Sequence, residues 1–303
     1  DQVYPVLASD GAGGAIVAWY DYRDPATDAD IYVQRIDPLG TLRWFPTGVP
    51  ICRARNFQTI PAIVSDGVGG AIITWYDNRH AYVSTYDSSS VYAQGVDAAG
   101  NVKWASDGIA VCDSVGITSY PKIVSDDAGG AIVVWTHVRG TGVDRVEGIY
   151  AQRIDAAGAT SWAPCGVPLC RGFGNRCCEA AVSDGAGGVI VVWRDDRKGY
   201  EDHDIYVQHV LATGEVDPAW PPCGLAICDL PGHQDSPAVA SDGAGGAIVA
   251  WQDWRSGNAD IYARRVLASG AVDPAWLSGS VAICAALGDQ ERPVVVSDGV
   301  GGA

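Results

Sequence analysis

The sequence predicts an all-β chain of similar four-stranded sheets, and three observations lead there. One phrase recurs along the 303 residues, the strand at its centre is apolar on both faces, and 38 glycines and 16 prolines leave no room for a helical period. The phrase is Ser9-Asp10-Gly11-Ala12-Gly13-Gly14-Ala15-Ile16-Val17-Ala18-Trp19. Its copies end at Trp75, Trp135, Trp193 and Trp251, at intervals of 56, 60, 58 and 58 residues, and a further copy runs from Ser297 to Ala303. A fixed period of this size marks stacked copies of one supersecondary unit. The copies divide one domain, residues 1–303, into repeats 1–54, 55–114, 115–172, 173–230 and 231–286, with 287–303 partial.

The second copy justifies each element in turn. Ile60–Ser65 is a β-prone run with Pro61 near its start, where strands tolerate proline. Asp66-Gly67-Val68-Gly69-Gly70 offers residues that reach positive φ cheaply and predicts a hairpin turn. Ala71–Tyr76 is apolar on both faces, so it needs cover on both sides. A polar loop of variable length leads to Val91–Asp97, a third strand. Ala98-Ala99-Gly100 then turns the chain into Asn101–Trp104, expected as the fourth strand, and Gly108–Cys112 leads to the next copy. Four antiparallel strands with the central ones covered twice fit the blades of a β-propeller, at about 57 residues per repeat. A β-solenoid uses shorter repeats, and separate sandwiches of this length bury a poor core. Trp19, Trp75, Trp135, Trp193 and Trp251 are then equivalent core residues between blades.

Composition narrows the function. The net charge of −16 repels nucleic acid and anionic lipid. No run approaches the ~18 apolar residues of a membrane span, so no membrane insertion is expected. The lack of methionine and of a charged-then-apolar leader suggests a processed or excised segment. Five of the nine cysteines share one repeat position (Cys52, Cys112, Cys170, Cys228 and Cys284) and read as small core side chains. Cys165, Cys177, Cys178 and Cys223 are local to the third and fourth repeats. The combinations Cys165 with Cys170 and Cys223 with Cys228 suggest paired chemistry. With Cys177 and Cys178 these are the candidate disulfide cysteines, their connectivity open, and disulfides imply export. Zinc is the competing reading, but no paired cysteines with matching histidine spacing support it.

Each core tryptophan is followed by a charged signature: Asp21-Tyr22-Arg23, Asp77-Asn78-Arg79, His137-Val138-Arg139, Asp195-Asp196-Arg197 and Asp253-Trp254-Arg255. At the end of a second strand all five emerge on one rim, where they form a candidate ring for a sugar, peptide or anion. The structural alternative pairs each arginine with its own aspartate or with Asp30, Asp204 or Asp260, and repetition in most copies favours it. The loops after these signatures vary most, as specificity loops do; the second is rich in Tyr82, Tyr86, Ser88, Ser89 and Ser90. Acidic clusters at Asp24, Asp28 and Asp30, and at Glu201, Asp202 and Asp204, raise Ca²⁺. No calcium-loop spacing accompanies them, so no cofactor is expected. The five histidines, among them His137, His203, His209 and His233, read as scattered surface residues. Gly11-Ala12-Gly13-Gly14 leads into a strand, so it cradles no phosphate.

The Ser-Asp-Gly-x-Gly-Gly turn before an apolar strand ending in tryptophan resembles the Asp-box hairpins of sialidase-like propellers, and the chain is similar to repeat propellers of exported bacterial proteins. It departs from the Asp-box pattern because the aspartate directly follows serine and the tryptophan lies further along. The resemblance implies a fold, since Asp-boxes staple hairpins. A sialidase's arginine cluster with an isolated Tyr/Glu pair is not seen. The function expected is therefore a non-enzymatic, secreted or cell-surface module for binding or assembly, with a protein, a glycan or further copies of itself as partner. The alternative is a carbohydrate-binding propeller, either a lectin or part of a glycan-active protein; a sialidase-like hydrolase is the enzymatic reading. Residues 290–303 repeat the pattern of residues 2–15, and Pro293-Val294-Val295-Val296 is expected to pair with a further blade or a neighbouring molecule.

Overall fold

The computed structural model describes every residue except 25, 27, 82–88, 115, 140–145, 173–175, 200–201 and 277–279, and describes only the backbone at 176–179. Each repeat forms one four-stranded antiparallel sheet whose strands follow chain order. The first holds β1 (Gln2–Ser9), β2 (Ala15–Asp21), β3 (Asp30–Ile36) and β4 (Val49–Cys52). The second holds β5 (Gln58–Ser65), β6 (Ala71–Asp77), β7 (Ser90–Val96) and β8 (Ile109–Cys112). The third holds β9 (Ile117–Ser125), β10 (Ala131–Arg139), β11 (Val146–Ile154) and β12 (Val167–Gly172). The fourth holds β13 (Arg176–Ser183), β14 (Val189–Asp195), β15 (Asp204–Val210) and β16 (Leu225–Cys228). The fifth holds β17 (Gln234–Ser241), β18 (Ala247–Asp253), β19 (Asp260–Val266) and β20 (Val281–Cys284). These sheets are consistent with the blades of a β-propeller. The chain divides into two compact units, residues 1–140 with 151–167, and residues 141–150 with 168–303. Among the described residues no helix is long and apolar enough to cross a membrane.

The recurring turn holds itself together through its aspartate. In the second repeat Asp66 Oδ1 accepts hydrogen bonds from the N–H groups of Val68 at 3.0 Å and Gly70 at 2.8 Å, while Asp66 N–H donates to Gly70 O at 3.1 Å. A Cβ on Gly70 would lie 2.2 Å from Val96 O, so only glycine fits there. A cation meets the same carboxylate: Arg35 for Asp10, Arg153 for Asp126 and Arg265 for Asp242 from the end of the third strand, and Lys103 for Asp66 from the segment after the next turn.

The expected fourth strand, Asn101–Trp104, is a correction. That segment makes one bridge, Val96 to Val102, and the fourth strand is Ile109–Cys112. The cause is Gln94, whose Oε1 accepts from Trp104 N–H at 2.9 Å while its Nε2 donates to Ala105 O at 2.7 Å, drawing the segment off the ladder. Gly108, at φ +87°, then returns the chain beneath Trp75, where a Cβ would sit 2.6 Å from the indole.

Within each unit the core lies between successive sheets. Trp75 packs among Ile16, Ala18, Ile31, Val33 and Cys52 of the preceding repeat, and Trp251 among Ile190, Val192, Ile205, Val207 and Cys228. Main-chain bonds join the same neighbours: Gln58 N–H to Ala29 O at 2.8 Å, Gln234 N–H to His203 O at 2.9 Å and Gln290 N–H to Ala259 O at 2.7 Å. Residues 287–303 thus continue in phase on the fifth repeat, and Asp298 closes the same turn with Gly302, although Val294, Val296 and Val300 remain exposed. Trp75, Trp135, Trp193 and Trp251 are fully buried. Trp19 is only half-buried.

Burial of this kind sets a stability difference. Trp251→Ala is expected to cost about 3–5 kcal/mol, the range for emptying a large aromatic site, and Trp19→Ala distinctly less. Urea denaturation of both variants checks it; equal losses would mean that the packing against a preceding sheet is not what the tryptophan contributes.

Candidate functional site

The charged signatures were the first candidates, and their geometry follows from strand alternation. Residues two apart share a face, so the tryptophan and the aspartate ending each second strand point the same way. The indole N–H donates to that carboxylate at 3.0 Å for Trp19 and Asp21, 2.7 Å for Trp75 and Asp77, and 2.9 Å for both Trp193 with Asp195 and Trp251 with Asp253. The arginine two residues on folds back onto it: Arg23 Nε to Asp21 at 2.8 Å, Arg79 Nη2 to Asp77 at 2.7 Å, Arg197 Nη2 to Asp195 at 2.5 Å and Arg255 Nε to Asp253 at 2.8 Å. Each guanidinium also lies over a third-strand tyrosine, 4.0 Å from Tyr32, 3.7 Å from Tyr92 and Tyr206, and 4.1 Å from Tyr262. The four carboxylates are sealed from solvent. Burial pushes Asp21 upward, but hydrogen bonds from Arg23, Trp19 and Gln2 outweigh it and hold the carboxyl at about 2. In these four repeats the groups a ligand would grip already bind one another. In the third, His137 replaces the acid and is buried, and Arg139 Nη2 donates to Ser114 Oγ at 3.3 Å.

The other sequence candidates fare differently. Asp24 is paired with Arg53 at 2.5 Å and Asp204 with Lys198 at 3.0 Å, so protein cations meet these acids, while Glu201 lies outside the described residues. Tyr82, Tyr86 and Ser88 also lie outside them. Ser89 and Ser90 are buried, bonded to Thr118 O and Asp113, rather than a contact surface. Cys165 is not bridged to Cys170, nor Cys223 to Cys228. Five residues of largely extended chain span roughly 15 Å, whereas a disulfide needs Cα atoms within about 7 Å. The side chains of Cys177 and Cys178 lie outside the described residues.

The histidines are the main correction. His137 is buried, and His209 lies between Asp184 at 2.9 Å and Asp217 at 2.8 Å, filling the turn-clamping position that Arg35 or Arg153 holds elsewhere. His203 and His233 are not scattered: their rings meet edge to face at 4.8 Å. Beside them Arg194 Nη1 donates to the Asp235 carboxylate at 3.0 and 3.3 Å, and His203 Nδ1 stands 4.0 Å from Asp235 Oδ2. Arg194 is the penultimate residue of β14, His203 precedes β15, and His233 and Asp235 flank the first residue of β17. A β-bulge follows Asp235, with Ser236 at φ +49° ahead of Pro237, and such bulges re-aim side chains. His203 Nδ1 is buried with no hydrogen-bond partner among the described residues. Burial, then the charges of Arg194 and His233, hold the His203 pKa below its ordinary value, so the imidazole is uncharged at neutral pH.

This cluster does not repeat. The positions of Arg194 hold Tyr20, Tyr76, Thr136 and Gln252 in the other copies; those of Asp235 hold Val3, Thr59, Ser119 and Cys177; those of His203 hold Ala29, Ser89, Glu147 and Ala259. Reading the repeats in columns and marking where one copy departs was the signal that could have found it. Chemically, the group offers an uncharged proton acceptor, a second imidazole beside it and a guanidinium–carboxylate pair.

No protein-family model matches the chain, and no curated protein matches it in sequence. Among solved structures, the α-L-arabinanase of Penicillium chrysogenum complexed with arabinobiose is similar over 99% of this chain and 86% of that one, at 11% identity and a TM-score of 0.51. The polysaccharide lyase Uly1 is similar over 86% of this chain and 70% of that one, at 10% identity and a TM-score of 0.50. At such identities the likeness shows the fold. It corrects the expectation of a non-enzymatic binding or assembly module, because these two similar structures are an arabinanase and a polysaccharide lyase. The glycan-active alternative is the reading they back.

The Asp21 staple sets an acid limit on stability. A carboxyl held at about 2 in the fold, against 3.8 ordinarily, contributes fully above pH 4 and loses that contribution as pH falls through 2. Asp21→Asn is expected to flatten the fall of the urea midpoint between pH 4 and pH 2. A variant that falls as steeply as the parent would show that the staple is not what fails.

Proposed function

We propose that the five sheets are blades of a β-propeller belonging to an exported, glycan-active enzyme, and that Arg194, Asp235, His203 and His233 are its active site. The observation that carries this reading is the juxtaposition of an uncharged imidazole, a buried ring nitrogen without a partner among the described residues and a guanidinium at positions where the other copies carry none of these groups together. Asp235, held by Arg194, faces His203 Nδ1; closing that 4.0 Å gap on substrate binding fixes the tautomer and leaves Nε2 as the base. Hydrolysis by two carboxyl groups asks for a pair roughly 5–9.5 Å apart, whereas Asp235 is tied to a guanidinium at 3.0 Å. A base beside a guanidinium suits β-elimination in a uronate-containing glycan. His203 takes the proton α to the sugar carboxylate, Arg194 offsets the charge that develops there, and the C–O bond to the glycosidic oxygen breaks as the double bond forms, the departing oxygen taking a proton from solvent. The chain's net charge of −16 opposes a polyanion only at long range, since charges beyond a Debye length of about 8 Å are screened and the local cations decide. Hydrolysis of a neutral glycan is the second reading, favoured by the arabinanase fold match over 99% of the chain.

Polygalacturonate, alginate and arabinan separate the two. Elimination is expected to give ultraviolet-absorbing unsaturated ends from a polyuronate, with His203→Ala slower by about 10²–10⁴, the usual contribution of a general base. The acid limb of the rate profile should lie below pH 6.5, because the His203 pKa is lowered from that value. Release of reducing ends from arabinan without that absorbance would replace elimination by hydrolysis. Undiminished rates in both His203→Ala and Asp235→Asn would move the site elsewhere.

A further inference from the structure

The arginine staple has a second role in the second and fourth repeats, where it separates two positions from adjacent repeats. Arg79 Nη2 lies 3.2 Å from Cys52 Sγ, the slot cysteine of the preceding repeat, and 2.7 Å from the carbonyl of Asp107, the residue before the left-handed Gly108. Arg197 Nη2 likewise lies 3.8 Å from Cys170 Sγ and 3.0 Å from Cys223 O. In the third repeat the acid is His137, and Arg139 reaches Ser114 instead. The two positions that the guanidinium divides elsewhere are here Cys112 and Cys165, and their thiols share a hydrogen bond. Both carry free thiols, Cys112 buried and Cys165 half-exposed with φ +56°.

We propose that Cys112 and Cys165 form an inter-repeat disulfide, a covalent replacement for the staple that the third repeat lacks. Formation needs a two-electron oxidant, and a low-molecular-weight disulfide such as oxidised glutathione supplies it. The accessible Cys165, as thiolate, attacks one sulfur of that disulfide and releases a small thiol. The Cys112 thiolate then displaces the second small thiol from Cys165, closing the protein S–S bond. Two protein thiols lose two protons and two electrons, and the oxidant leaves as two thiols. Burial and the hydrogen bond with Cys165 push the Cys112 thiol up to about 11, so the second step is slow and quickens as pH rises. The bond ties the end of β8 to the turn ahead of β12, residues 53 apart in the chain, and closing a loop of that length removes many unfolded conformations.

The test uses the whole chain, purified reduced, held folded in a glutathione redox buffer, alkylated and digested with trypsin and chymotrypsin. Cleavage after Trp162 and Leu169 parts Cys165 from Cys170. The expected result is a linked peptide pair holding Cys112 and Cys165, with a melting midpoint on the order of 10 °C above that of the reduced chain. Cys165→Ser, conservative at a half-exposed position, should fold, lose the link and lose the gain in midpoint. Alkylation of both cysteines after oxidation, or a bridge from Cys165 to Cys170, Cys223 or any other cysteine, would overturn the proposal.

Discussion

Everything in this fold depends on burying an indole between two sheets without stranding its N–H. A tryptophan that loses all contact with water gains several kcal/mol from its apolar area, and an unsatisfied N–H would take back ~1–3 of that. The aspartate two residues on supplies the acceptor, but a buried carboxylate is itself costly unless a cation and further donors meet it. Arginine does so with a planar fork that also lies flat on the tyrosine of the third strand, as with Arg79 between Asp77 and Tyr92. Its remaining N–H groups reach the carbonyl ahead of the fourth strand and the slot cysteine of the repeat before. One side chain therefore satisfies the core, pins the outer strand and joins neighbouring repeats.

That interdependence explains what could be read from the sequence. The period, the turn glycines and the doubly apolar second strand each act within a few residues, so the sheet-forming elements were legible. The fourth strand was not. Asn101–Trp104 and Ile109–Cys112 are equally β-prone, and Gln94 decides between them by bonding Trp104 and Ala105 from the far side of a turn. The pairings of Cys165 with Cys170 and of Cys223 with Cys228 are absent for a related reason. Nearness in sequence suggested Cys165 with Cys170, but an extended strand carries near residues apart, while stacking brings Cys112, a whole repeat earlier, against Cys165.

The candidate site was illegible for the opposite reason: the motifs that drew attention were the repeated ones. A feature present in every copy is needed by every copy, and the aspartate–arginine signatures prove to be internal. Arg194, His203, His233 and Asp235 sit at positions where other copies carry Tyr20, Ala29, Phe57 and Thr59, residues that ask for no polar partner of that kind. No single one of the four stands out in a linear reading, because their meaning lies in strand ends that meet only after two repeats stack.

The two departures from the repeat differ in kind, and the staple shows why. At His137 the copy loses a group its neighbours rely on, so a structural substitute must lie close by, and a pair of thiols stands at the vacated contact. At Arg194 and Asp235 the staple of the same repeat is in place: Trp193 Nε1 and the Arg197 main-chain N–H and Nη2 all donate to Asp195. The added charges therefore do not repair the sheet. They stand on the opposite face of β14 from the indole, since adjacent strand residues point to opposite sides. A scaffold whose core is already satisfied can carry an imidazole with a vacant nitrogen at its rim, which is the condition for chemistry on a rigid support. Loss within the staple thus points to stability, and gain beside an intact staple points to function.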